Sequence, residues 1–408
     1  MHETSSAGND VNAMGQNCPV CGSNRLEWIY EAADLPVFAN VLWPDRDSAI
    51  SCPKGSIRLA LCRDCGFIFN TSFDPGLLEY SERYENTLDF SPRFQEYARS
   101  LAERLIERYD LHGRTVIEIG CGKGDFLLLL CKMGNNSGIG FDPSYEDRPE
   151  AELDGLDIRF IKDRYSETYA HYAADLIYSR HMLEHLADPR RFLDTIRSSI
   201  GDRCTAVFFE VPNALHMIRN TFVWDIIYEH FAYFAPPALA YLFSASGFDV
   251  REISEEFGGQ YLAAHVSPRD GAPTGGRAAG DDGGRRGEID HLVREAAVFG
   301  EAHRRVIAAW REKITREAGG GRVVLWGAGS KGVTFSNLLR LGDAIPYIVD
   351  INPRKEGMFV AGSGQRIVQP DFLASYRPDI VVIMNAIYEK EIRGLIENLG
   401  LYPRYISI

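Results

Sequence analysis

Apolar and polar positions change their period several times along the 408 residues, and the changes divide the chain. Between Cys18 and about Tyr80, short runs such as Ile57–Leu61 and Phe67–Asn70 read as strands. Phe94, Tyr97, Leu101, Leu105 and Tyr109 then recur three or four apart, the spacing of one helix face. From Thr115 the pattern alternates: strand Val116–Ile119, glycine turn Gly120–Gly124, helix Asp125–Lys132 and strand Gly138–Phe141. Strands Leu176–Tyr178 and Ala206–Glu210 follow, with a helix Arg190–Ile200 between them. Alternation of this kind predicts an α/β fold, a parallel sheet with helices on both faces. A helix of about Ile289–Glu317 leads into a second unit of the same kind, with strands Arg322–Trp326, Ala344–Val349 and Ile380–Met384.

The segments that break the pattern mark boundaries. Residues 1–15 are polar and small, without a basic start and apolar stretch, and read as a disordered leader rather than a signal peptide. Residues 267–288 are dense in Gly, Arg and Asp, cannot bury a core, and read as a flexible loop. The expected organisation is therefore 16–80, a cysteine-bearing domain; 81–266, an α/β core; and 289–408, a second α/β domain. No apolar run approaches the roughly 18 residues that cross a bilayer. A net charge of −13 and a pI near 5.3 argue against a nucleic acid or an anionic membrane as partner, since both need a basic face. A small-molecule substrate is the expectation, with a monomer and a homodimer both open.

Four of the eight cysteines form two C-x-x-C pairs, Cys18–Cys21 and Cys62–Cys65, each followed by glycine. Two such knuckles make a tetrahedral four-sulfur set with no open position, suited to a structural zinc ion in a reducing cytoplasm. Cys121, Cys131 and Cys204 fall in elements expected to be buried, and Cys52 reads as packing.

The stretch Val116-Ile-Glu-Ile-Gly-Cys-Gly-Lys-Gly124 ends a strand and opens a helix. Gly120, Gly122 and Gly124 let backbone approach a ligand, and the helix N-terminus offers free N–H groups to a carboxylate. The dinucleotide pattern G-x-G-x-x-G fails here, because its sixth position is Asp125. What stands is E-x-G-x-G-x-G, from Glu118, the motif of class I methyltransferases; S-adenosylmethionine (SAM) is the expected cofactor. Asp142 ends the next strand, where an acid accepts from the ribose hydroxyls, and Asp163 is placed to meet the adenine amino group. Ser179-Arg-His-Met-Leu-Glu-His185 follows a strand whose end faces the crevice, setting His181 beside the cofactor and both histidines within reach of substrate. Tyr228-Glu-His-Phe-Ala-Tyr-Phe234 places Glu229 and His230 among aromatics, either as a general base with its carboxylate or as a buried aromatic plug.

Val323-Val-Leu-Trp-Gly-Ala-Gly-Ser-Lys-Gly332 does satisfy G-x-G-x-x-G, and Asp350 ends the next strand. By wording alone this is a nicotinamide-dinucleotide site, although no hydride-transfer machinery accompanies it; Lys331 could instead meet a phosphate.

Taken in order, the knuckles, the SAM turn, Tyr228-Glu-His-Phe231 and the second glycine turn resemble the zinc-containing sugar C-methyltransferases of deoxysugar biosynthesis. The resemblance runs from Cys18 to the C-terminus. It implies that Cys18, Cys21, Cys62 and Cys65 hold zinc, that His230 removes a proton next to a sugar ketone, and that Glu229 and Tyr228 support it. It makes His185 a second active-site histidine, Tyr84 a cover over SAM, and Gln260, in Gly258-Gly259-Gln260, a substrate neighbour. It also implies that the second glycine turn shapes the substrate cleft without using NAD. Phe257 stands where that family is expected to have histidine. The reaction so implied is C-methylation beside the carbonyl of a nucleotide-linked keto-deoxysugar. O- or N-methylation of another small acceptor, NAD binding at 327–332, and a non-catalytic SAM-binding protein are the alternatives.

Overall fold

A computed structural model describes residues 17–78, 84–147, 153, 155–270 and 282–408. The expected leader, and residues 271–281 of the expected loop, lie outside the described residues.

Near the N-terminus β1 (Leu26–Pro36), β2 (Lys54–Cys62) and β3 (Ile68–Asn70) form an antiparallel sheet. Its buried residues include Ile57, Leu59, Phe67 and Phe69. The knuckles sit at its end, and both close alike. Gly22 N–H donates to Cys18 C=O at 2.8 Å and Gly66 N–H to Cys62 C=O at 2.9 Å, each glycine at φ +77°. That left-handed turn is why a glycine follows each pair.

The next unit contains β4 (Thr115–Ile119), β5 (Ser137–Phe141), β6 (Ile158–Ile161), β7 (Leu176–Arg180) and β8 (Ala206–Pro212), all parallel. A short β9 (Ala232–Tyr233) leaves this unit and pairs with Ile68 and Phe69 of β3, tying it to the N-terminal sheet. β10 (Phe248–Glu256) and β11 (Tyr261–Pro268) complete a seven-stranded sheet in the order β10-β11-β8-β7-β4-β5-β6. The expected strands are all parallel, and two strands not expected from the sequence add an antiparallel edge. β11 is antiparallel to both β8 and β10. A tight reversal at Phe257–Gln260 joins the last two strands, which only an antiparallel pair allows. Parallel strands with this antiparallel insertion form the class I methyltransferase core.

The helix Asp282–Gly320 begins earlier than the expected Ile289. Gly-Gly-Arg-Arg-Gly is a weak helix sequence, but Arg285 lies over the Tyr241 ring, and Arg286 pairs with Asp64 and Asp290. Its buried Ile289, Leu292, Ala296 and Phe299 dock it inward. The C-terminal sheet is wholly parallel: β12 (Val323–Trp326), β13 (Tyr347–Val349), β14 (Arg366–Val368), β15 (Ile380–Ile383) and β16 (Arg404–Ser407), ordered β14-β13-β12-β15-β16. One continuous apolar cluster reaches from Val37 and Phe67 through Ile119 and Phe209 to Leu325 and Ile348, so the three sheets share a core. Cys204, expected to be buried, is exposed, because it lies in the turn before β8.

Candidate active site

The SAM turn opens where β4 ends. Gly120, Gly122 and Gly124 have φ of +76°, +53° and +79°. A Cβ on Gly120 would lie 2.7 Å from Met182 Cγ and one on Gly124 2.4 Å from Phe160 Cε1. A Cβ on Gly122 would meet nothing within 4 Å, so this glycine borders open space. Asp142 Oδ2 accepts from Gly122 N–H at 2.8 Å, and Oδ1 from Ser144 N–H at 2.8 Å. Asp163 is exposed and accepts from Tyr169 O–H at 2.5 Å. Glu118 is wholly buried and accepts from Tyr178 O–H at 3.2 Å; burial pushes its pKa up to about 8.

A cavity of about 340 Å³ lies where the methyltransferase core meets the C-terminal unit. From the core come Tyr84, His181, Glu184, His185, His230 and Gln260. From the other side come Gly327, Gly329, Ser330, Lys331 and Asn385. The second glycine turn, and the N-terminus of its helix Ser330–Leu339, thus face the histidines across one chamber. Lys331 Nζ is paired with the Asp225 carboxylate. Gln260 and Asn385 exchange reciprocal amide hydrogen bonds at 3.2 and 2.9 Å.

The Tyr228-Glu-His segment divides its labour. The His230 and His185 rings lie 5.0 Å apart and nearly perpendicular. Burial pushes the His230 pKa well below its ordinary value, and His185 and His181 add to the effect. Burial likewise lowers His185 to about 4. His185 Nδ1–H donates to the Glu229 carbonyl at 3.0 Å. The Glu229 side chain is buried away from the cavity. It accepts from Ala39 N–H at 3.0 Å and from Tyr84, and burial raises its pKa to about 7. Tyr228 is corrected: its hydroxyl accepts from Asp74 N–H at 2.9 Å and its ring packs on Phe73. The wall position falls to Ile227 instead. Tyr228 is outside the cavity lining, so its hydroxyl is away from a substrate held there.

Two polar nodes escape a reading of the sequence. Glu210, at the end of β8, is fully buried and held by Arg180 Nε at 3.0 Å, His181 Nε2 at 2.9 Å and Tyr97 O–H. Burial favours its protonated form, but Arg180 and these hydrogen bonds win and hold it at about 2. His181 N–H also donates to the Glu210 carbonyl, which secures His181 at φ +52° on the cavity wall. Glu85, also buried, accepts from Lys123 in the SAM turn at 2.8 Å and from Asn352 and Arg354 of the C-terminal unit at 3.1 Å each. No local motif announces either node, because their partners lie far away in sequence.

The four knuckle sulfurs gather within 4.8 Å of one another. Cys18–Cys65 and Cys21–Cys62 Sγ pairs are each 3.5 Å apart, and none of the four is in a disulfide. With metal–sulfur bonds of about 2.3 Å, a tetrahedral zinc site needs sulfurs roughly 3.8 Å apart, so the set fits that ion. Cys52 stands outside it.

The family model described as a methyltransferase domain matches residues 92–253. The model described as a C-methyltransferase C-terminal domain matches residues 295–399. The chain is 25% identical over 414 residues to the C-methyltransferase NovU of Streptomyces niveus, covering 96% of each chain. Among solved structures it is similar to the 1,6-didemethyltoxoflavin-N1-methyltransferase of Burkholderia thailandensis with S-adenosylhomocysteine (TM-score 0.34, 15% identity, 45% of this chain and 83% of that one). It is also similar to magnesium protoporphyrin IX methyltransferase of Synechocystis PCC 6803 with bound SAM (TM-score 0.33, 13% identity, 43% of this chain and 80% of that one).

Proposed function

We propose that this chain, which matches both a methyltransferase domain and a C-methyltransferase C-terminal domain, methylates the carbon beside the ketone of a nucleotide-linked keto-deoxysugar, with His230 as base. The observation that carries this reading is the shared chamber. His230 and His185 face the N-terminus of the helix Ser330–Leu339 and Lys331, an end suited to a diphosphate. The sugar would then lie toward the histidines.

His230, kept neutral by burial, takes the α-proton from carbon. The C–H electron pair passes into an enolate, whose oxygen a hydrogen-bond donor on the cavity wall such as His181 stabilises. Bound SAM supplies an electrophilic methyl group, and its C–S electron pair stays on sulfur as S-adenosylhomocysteine leaves. Glu229 braces the neighbouring histidine and the wall: its carbonyl fixes His185 and its carboxyl holds Ala39 and Tyr84. Asp142, Gly122 and Asp163 would hold the cofactor. The four cysteines would hold a structural zinc ion that locks the two knuckles.

The test is transfer from SAM with an isotopically labelled methyl to a nucleoside-diphosphate keto-deoxysugar, read by NMR. A new C–CH₃ signal is expected; a methoxy or N-methyl signal would establish O- or N-methylation instead. His230→Ala should lower turnover about 10²- to 10⁴-fold with SAM affinity retained. Full turnover by that variant would sink the base assignment.

A further inference from the structure

Glu184 is 2% exposed, and its Oε2 is buried with no hydrogen-bond partner, yet the residue lines the cavity. A carboxyl oxygen left in that state has lost its water and gained no hydrogen bond in return. Each of Glu184, His185 and His230 offers one ligand atom, and those atoms all lie within 4.8 Å of one another. His185 gives its Nδ1–H to a backbone carbonyl at 3.0 Å. That outer hydrogen bond fixes the ring and its tautomer, as is usual for imidazoles that bind metal, and makes Nε2 the ligating nitrogen. Two imidazoles and one carboxylate, with the cavity on their open side, are the donor set of transition-metal ions rather than of magnesium or calcium. Metal–ligand bonds of about 2.0–2.2 Å bring opposite ligands to roughly 4.4 Å at most. Small side-chain rotations close the remaining gap.

We propose that Glu184, His185 and His230 form a second metal site, separate from the cysteine cluster, which takes a divalent transition-metal cation such as Zn²⁺ and silences the enzyme by occupying the His230 lone pair. The inhibitory consequence rests on His230 being the base; the site itself does not. Binding forms three dative bonds and needs no oxidant or reductant. Because the ion sits where the acceptor must reach His230, inhibition is competitive with the acceptor and not with SAM.

The experiment titrates Co²⁺ into the full chain already loaded with zinc at its four cysteines. One equivalent should give visible bands of nitrogen and oxygen coordination, without the intense thiolate bands that cobalt at the cysteines would produce. Glu184→Gln should weaken the binding about tenfold or more, and His230→Ala should do the same, so a folding failure in either variant leaves the other. In parallel, Zn²⁺ should inhibit methyl transfer by raising the KM for the acceptor, and Glu184→Gln should shift that inhibition to about tenfold higher metal. No cobalt signal, or equal affinity in wild type and both variants, overturns the site. Glu184-dependent binding without inhibition supports the site and overturns the assignment of His230 as base.

Discussion

The two glycine turns are built alike and end differently. In the first, Gly120 N–H donates to Phe141 C=O at 2.8 Å; in the second, Gly327 N–H donates to Val349 C=O at 2.8 Å. Asp142 accepts from Gly122 N–H and Ser144 N–H, while Asp350 accepts from Ala328 N–H and Asn352 N–H, at 2.8 to 2.9 Å throughout. Beside the acid, the difference is one cation. Lys355, 5% exposed, reaches Asp350 Oδ2 at 3.3 Å and Ala328 C=O at 3.1 Å. A lysine laid across that carboxylate competes with any ribose hydroxyl that would donate to it. On the proposed reading Asp142 serves the nucleoside, although the second turn is the closer textual match to a dinucleotide fingerprint. The wording of a glycine motif reports backbone geometry; what lies against the acid decides the ligand.

That contrast breaks most sharply at Lys355. Lys355→Met leaves the partly buried Asp350 carboxylate with only its two backbone N–H donors and should cost roughly 3 kcal/mol of unfolding free energy, read by chemical denaturation. Asp142→Asn, its counterpart, should cost little stability and weaken SAM binding about tenfold by calorimetry, since it removes hydrogen-bond acceptance at the ribose. If both variants lose only stability, or both lose only SAM, the two turns are not functionally distinct. Titration with NADH is the complementary check: fluorescence transfer from Trp326 in the wild-type chain would return the second turn to dinucleotide binding.

A smaller effect separates glycines within the second turn. A Cβ on Gly332 would lie 1.9 Å from the Gly327 carbonyl oxygen, so helix and turn would have to part. Gly332→Ala should cost about 2–3 kcal/mol by thermal unfolding. Gly329→Ala meets nothing within 4 Å and has φ of −89°, so it should be within about 0.5 kcal/mol of wild type. Equal losses would mean that the turn tolerates no side chain anywhere, and that the packing argument is wrong.

These contrasts show which parts the chain spells locally. The SAM turn, the knuckles and the second turn each occupy fewer than a dozen consecutive residues, so spacing alone exposes them. His185 and His230 were legible for the same reason. Tyr228 was misplaced because aromatic neighbours in sequence alternate between the cavity and the N-terminal sheet, and only packing against Phe73 reveals which way it turns. The antiparallel pair β10–β11 was missed because mixed polar residues such as Arg251, Glu252 and Glu255 mask its alternation. Glu210 carries no motif of its own, and Glu184, although it stands inside Ser179–His185, is singled out there only by its burial; the importance of both comes from the surroundings that the fold delivers.

Glu85 is the extreme of that last class and gives a smaller loss than Gly332→Ala. It joins the first turn, through Lys123, to the C-terminal unit that bears the second, through Asn352 and Arg354. Burial alone would raise its pKa, but hydrogen bonds from Lys123, Thr87 and Arg354 outweigh burial and hold the carboxyl at about 2, below the ordinary 4.5. A depressed folded-state value means stability that is fully present above about pH 4.5 and is lost as the pH falls toward 2. Glu85→Gln should therefore cost about 1–2 kcal/mol at neutral pH, and the gap between the two melting curves should close on acidification through that window. A gap that stays constant down to pH 3 would show that the carboxylate charge does not couple the first turn to the C-terminal unit. The two turns would then be joined by packing alone.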